Sequence, residues 1–155
     1  MKTTLTLFAI LLSFAINAQV KFITQDLTEV RAIGDSLTAN AKRPYIFKEA
    51  RTKGKYSYEL YYKNSDDETD NLYIHFKVRY IGASEDLEIE GIPEYQFYYV
   101  SGKFLDLYPF WNKFIDSEDS PEEISKKKSK YIIVDKTRYL FQKNSEDWNI
   151  SVTEI

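Results

Sequence analysis

The apolar positions of this chain change period near Pro44. Before it, over residues 24–43, Leu27, Val30, Ile33, Leu37 and Ala41 recur at intervals of three and four, the spacing that lines one stripe of an α-helix. Thr24 is placed to cap that helix, with Gln25 and Asp26 behind it. Lys42 and Arg43 fall in its last turn, where the helix dipole favours cations, and Pro44 stops it. Gly34 interrupts the stripe at a cost of about 1 kcal/mol relative to alanine, and it marks a place where a neighbouring strand can come close.

After Pro44 the period is two, the signature of a strand with one buried face. Tyr45, Ile46 and Phe47 begin a first strand that ends near Lys53-Gly54. Tyr56, Tyr58, Leu60 and Tyr62 share one side of a second. Leu72, Ile74, Phe76, Val78 and Tyr80 share one side of a third, opposite Tyr73, His75, Lys77 and Arg79. The polar run 64–71 joins the last two as a long antiparallel hairpin, core on one face and water on the other. Leu87-Glu88-Ile89-Glu90 alternates and ends at Gly91-Ile92-Pro93. Residues 95–100 and 103–108 flank Ser101-Gly102, which predicts a tight hairpin there.

Pro109 fits the first turn of a short helix reaching Asp116. Ser120, Pro121 and Glu123 form a capping box with proline at the first helical position, so residues 121–128 are read as a second short helix. Its glutamates Glu122 and Glu123 precede Lys126 and Lys127 by four residues, the favourable order. Residues 131–134, 138–143 and 147–153 then read as three closing strands. The expected fold is α+β: an N-terminal helix packed on a curved antiparallel β-sheet meander, with two short helical insertions.

The first eighteen residues do not fit this scheme. Lys2 precedes a predominantly apolar run from Leu5 to Ile16, followed by the polar Asn17-Ala18-Gln19, the order of a secretory signal peptide. A run of that length falls short of the ~20 residues of a membrane-spanning helix, so a stable membrane anchor is not expected. Cleavage near Ala18 would leave residues 19–155 as a single α+β domain, exported to the bacterial periplasm or secreted. The chain has no cysteine, so no cysteine-linked lipid anchor, thiol catalysis or thiolate metal site is open to it. The net charge is −3, one unit more negative once Lys2 leaves with the leader. That balance disfavours nucleic acid and anionic lipid as partners.

The candidate chemistry is sparse. His75 is the single histidine and has no second histidine with which to hold a metal. Asp66, Asp67, Glu68 and Asp70 crowd one loop, but glycine and glutamate are missing where a calcium-binding loop of the EF-hand type needs them. Glu88 and Glu90 sit two apart on an expected strand, where charges guard a sheet edge. Ser125-Lys126-Lys127-Lys128 spells the S-x-x-K of penicillin-recognising enzymes without their S-D-N and K-T-G partners. No catalytic residue, metal or cofactor is assigned on these grounds.

The surplus is aromatic: 13 Tyr, 10 Phe and 2 Trp. Tyr61 and Tyr73 fall opposite the expected core, and the run 95–99 puts aromatics on both faces. Tyr61, Tyr73 and Tyr98 are therefore the candidate binding residues of a small exported interaction domain without catalysis, its partner a protein, peptide or glycan. Two alternatives stand beside it. One is a small hydrolase or isomerase with His75, Asp106 or a glutamate in a pocket between helix and sheet. The other is an envelope structural or inhibitor protein acting through the edge of the Glu88–Glu90 strand.

Overall fold

A computed structural model of the protein describes residues 23–155 apart from residue 89 and residues 116–118. The expected leader, residues 1–18, lies outside the described residues. The fold is α+β with the sheet dominant: among the described residues there are three helices and one eight-stranded, antiparallel sheet. The strands are β1 (Ile23–Thr24), β2 (Tyr45–Thr52), β3 (Ser57–Asn64), β4 (Asn71–Ile81), β5 (Ile92–Gly102), β6 (Ser129–Val134), β7 (Thr137–Asn144) and β8 (Asp147–Glu154). The helices are α1 (Leu27–Asn40), α2 (Phe104–Phe114) and α3 (Pro121–Lys127). Spatial order is β2-β3-β4-β5-β8-β7-β6, with β1 pairing the start of β5 at Tyr95 and Gln96. The chain leaves the sheet after β5 for α2 and α3, then returns through β6 and β7 so that β8 lies beside β5.

The helical stripe and the inner faces of the strands meet in one core. Val30, Ile33 and Leu37 of α1 are buried with Leu60 and Tyr62 of β3, Leu72, Ile74 and Phe76 of β4, and Phe97 and Val100 of β5. Leu107, Phe110 and Trp111 of α2 and Ile124 of α3 join the same cluster with Phe141, Trp148, Ile150 and Val152. Gly34 is where the sequence asks for room: a Cβ there would stand 2.5 Å from the Tyr62 hydroxyl and 2.6 Å from Leu60 Cδ1.

Four local expectations are corrected. The cap of α1 is Asp26, whose carboxylate accepts from the Thr28 amide at 2.7 Å. Thr24 lies instead in β1, paired with Tyr95. Lys42 and Arg43 lie beyond the helix, which ends at Asn40, and Arg43 serves an ion pair rather than the dipole. The Ser101-Gly102 hairpin does not form: β5 runs through both residues, and the chain enters α2 at Phe104. Leu107, Phe110 and Trp111 sit at helical spacing, and burying all three outweighs Pro109 inside the helix. The carbonyl left without a donor is that of Leu105, whose side chain lies on the exposed side. Finally, residues 85–88 form a turn with Glu88 at φ 54°, not a strand. Residue 89 of that expected strand is outside the described residues.

The β3–β4 hairpin and the closing strands form as the alternation predicts. The α3 cap also forms, with the Glu123 amide donating to Ser120 Oγ at 3.3 Å.

Candidate functional site

The core claims one face of the sheet, and the other carries the chain's unspent polar and aromatic groups. Register places one cross-strand row on that outer face through seven strands: Arg51, Glu59, His75, Tyr99, Ser151, Leu140 and Tyr131. The buried side chains of all three helices belong to the core on the opposite face.

Glu59 is the anchor of this row. It is buried although it faces outward, because Arg51, Lys53 and His75 converge on it. Arg51 Nε donates to its Oε1 at 2.8 Å and Arg51 Nη2 approaches the same oxygen at 2.7 Å. His75 Nδ1 stands 3.4 Å from Oε2. Burial pushes the His75 pKa down; Glu59 partly restores it and Lys53 lowers it further. The imidazole is held toward its neutral form, with Nδ1 turned to the carboxylate.

The three sequence-assigned tyrosines surround this network. Tyr61 and Tyr73 are cross-strand partners, their rings stacked at 5.0 Å with 12° between planes. The Tyr61 hydroxyl donates to Asn71 Oδ1 at 2.8 Å. The Arg51 guanidinium lies 6.0 Å from the Tyr73 ring centre. Tyr73 is 37% exposed, while Tyr61 and Tyr98 are half-buried. Tyr98 is the extra residue of a β-bulge: Phe76 pairs with Phe97 and His75 with Tyr99, so β5 carries one residue more than β4. The bulge lets Tyr98 and Tyr99 both leave the core, one ring 6.1 Å and the other 6.0 Å from His75. Lys77 stands 5.5 Å from the Tyr98 ring.

The sequence names Tyr61, Tyr73 and Tyr98 as candidates but not the charged centre beside them. Glu59, Arg51 and Tyr99 are not among those candidates, and His75 enters only on the wet side of the hairpin and as an acid–base group of the enzyme alternative. The signal was present in part: Glu59 and His75 lie on the polar sides of two strands read as one hairpin. Arg51 could not be placed without the bulge in β2 between Phe47 and Glu49.

The other candidates go elsewhere. Asp106 is fully buried and receives the Arg43 amide at 3.2 Å, Arg43 Nε at 2.9 Å and the Tyr45 hydroxyl at 3.1 Å. Arg43 also pairs with Asp70. Asp106 thus ties α2 to the α1–β2 turn and lines neither of the described clefts. Burial, followed by the charges of Asp106 and Asp70, raises the Tyr45 pKa. The acidic loop is folded on itself: Asn64 Oδ1 accepts from the amides of Asp66 and Asp67, and Asp67 Oδ1 from Thr69. Those Thr69 bonds lower the Asp67 pKa. A cleft of 680 Å³ opens at the β4–β5 loop beside Tyr56, Tyr80, Glu85, Glu88 and Glu90, away from the three tyrosines. Among the described residues no group of three or more His, Asp or Glu is placed to hold a metal ion. No described helix is long and apolar enough to cross a membrane.

No protein-family model, curated protein or solved structure matches the chain.

Proposed function

We propose that this protein is a small exported binding module, working without catalysis, that docks a protein or peptide on the outer face of β3, β4 and β5. Export follows from the leader composition of residues 1–18, which would free residues 19–155 into the periplasm or the medium. The sheet is taken to curve about α1, leaving its convex face for the partner. The observation that carries this reading is the patch itself: Tyr61, Tyr73, Tyr98, Tyr99, His75 and Arg51 in one contiguous arrangement.

Its chemistry favours a protein partner over a glycan. A sugar stacks on a free ring face. Here Tyr61 and Tyr73 turn one face to each other, and Arg51 stands over Tyr73. What remains outward is ring edge, hydroxyl and guanidinium, the mixture that anchors protein interfaces. The rotamers are fixed in advance by stacking and by the Glu59 bonds, which lowers the entropy cost of docking.

An acid–base enzyme is the lesser reading, despite the His75–Glu59 contact. Glu59 is already bonded to Arg51, and the described clefts lie away from His75.

The test is capture of envelope or culture-fluid proteins on immobilised residues 19–155, comparing the native chain with Tyr73→Ser and Tyr98→Ser. A partner held by the native chain and released by both variants supports the reading. A partner held equally by all three, or a preference for oligosaccharides on a glycan array, overturns it.

A further inference from the structure

The two edges of the sheet are built differently. Edge strand β2 is interrupted by a bulge between Phe47 and Glu49 and carries Lys48, Glu49 and Arg51, the devices that stop a strand from recruiting another. Edge strand β6 has no such bulge, and its one charged residue, Lys130, is paired with Asp119. It pairs with β7 in unbroken register from Ser129–Gln142 to Val134–Thr137, and with no other strand among the described residues. Its last four residues, Tyr131-Ile132-Ile133-Val134, are uncharged.

The pairing decides which backbone groups are turned outward. The Lys143 amide donates to the Lys128 carbonyl at 2.9 Å, and the β6–β7 turn at Asp135-Lys136 has two residues, both at positive φ. Even-numbered residues of β6 therefore bond to β7, and Ser129, Tyr131 and Ile133 turn their N–H and C=O groups to the free edge. On the outer face of the sheet Tyr131 is 60% and Ile133 56% exposed. This is a ready template for a further strand, and for side chains that alternate on it.

Charge selects the occupant. Lys126, Lys127 and Lys128 are exposed at the start of β6, and Lys136 and Arg138 at its far end. Asp119, which holds Lys130 of β6 at 2.6 Å, and Glu122, Glu123 and Asp135 are the acidic groups among them, so cations still outnumber anions along this edge of an acidic chain. A second copy paired about Ile132 would bring its Lys136 against Lys128, and the same again at the other end. We infer that β6 receives, as an added antiparallel strand, an extended segment of another protein that alternates apolar and polar residues and is acidic at both ends.

The probe is a short labelled peptide that alternates valine and threonine between terminal glutamates, titrated by fluorescence anisotropy against residues 19–155. Binding that weakens with salt is expected. Ile133→Pro removes an outward N–H without touching the β7 ladder and should weaken binding about tenfold. Lys127→Glu with Lys136→Glu, which leaves the backbone alone, should weaken it by a similar factor while far-ultraviolet circular dichroism stays unchanged. No binding by the native chain, or equal binding by both variants, overturns the inference. So does a concentration-dependent dimer in size-exclusion chromatography that Ile133→Pro dissolves, because the edge would then be met by a second copy. Loss of this peptide's affinity in Tyr73→Ser would place it on the outer-face patch and likewise overturn the inference, which keeps the two readings separate.

Discussion

Glu59 and Asp106 are buried carboxylates, and each is reached by an arginine: Arg51 for the first and Arg43 for the second. The two sides of the Arg43–Asp106 pair are not equally costly to remove. Asp106 is almost wholly enclosed, whereas a third of the Arg43 side chain meets water. Arg43→Met leaves a buried anion with the Tyr45 hydroxyl as its remaining side-chain donor, and should cost about 3 kcal/mol. Asp106→Asn leaves a cation that can still reach water and Asp70, and should cost less. Urea denaturation of both variants measures the order; an equal or reversed cost refutes this account of the pair.

His75 gives a pH dependence with a definite sign. Its pKa in the fold lies below the ordinary 6.5, first because it is half-buried. The unfolded chain therefore takes up the proton before the folded one does. Stability is fully present above about pH 6.5 and falls as the pH drops from there through the lower folded value. His75→Gln should flatten that decline. Urea midpoints of native and variant chains between about pH 7.5 and about pH 5.5 will show it, and parallel curves would remove His75 from the explanation.

Among the elements, α1 and α3 illustrate two kinds of sequence signal. Ser120, Pro121 and Glu123 specify the start of α3 locally, and Ser120→Ala should cost about 1 kcal/mol, read as a fall in urea midpoint. Gly34 in α1 has a meaning that only the tertiary structure supplies. Alanine there would gain about 1 kcal/mol of helix propensity, but its Cβ would collide with Leu60 and with Tyr62, whose hydroxyl is held by Asp35 at 2.8 Å. Overpacking of this kind costs about 1–3 kcal/mol, so Gly34→Ala should lower the thermal midpoint or leave it unchanged, and a clear rise would mean that α1 and β3 are further apart than described.

The same contrast explains which parts of the fold the sequence disclosed. Period-two alternation placed β3, β4, β7 and β8, because each turns its apolar side chains to the core and most of its polar ones away from it. It failed at α2, where Phe104, Leu107, Tyr108 and Trp111 carry a helical period that Pro109 and the neighbouring Ser101-Gly102 obscured. It failed again at Leu87 and Glu88, which lie in a turn. The tyrosine half of the candidate site followed from face assignment. The Arg51–Glu59–His75 half depended on register across three strands, which no single strand reveals.

At the scale of the whole molecule, both tryptophans report on one core. Trp111 in α2 and Trp148 in β8 both pack against Phe141, at 5.5 and 4.8 Å between ring centres, and Phe141 belongs to the cluster that reaches Leu37 and Leu60. Unfolding followed by tryptophan fluorescence and by far-ultraviolet circular dichroism should coincide in one transition. Separate transitions would show that the β6–β8 end and the β2–β4 end melt apart.

The bulge at Tyr98 has a consequence for how this molecule tolerates change in length. In a regular strand the loss of one residue turns every later side chain inside out. Here Tyr98 is supernumerary: Phe97 and Val100 face inward on either side of it, with Tyr99 outward between. Excising Tyr98 would let β4 and β5 close into an even ladder with both halves still facing as before. A mid-sheet deletion would then subtract a contact from the outer surface and leave the interior as it was, so that at this position the gene can lose a codon without losing the fold.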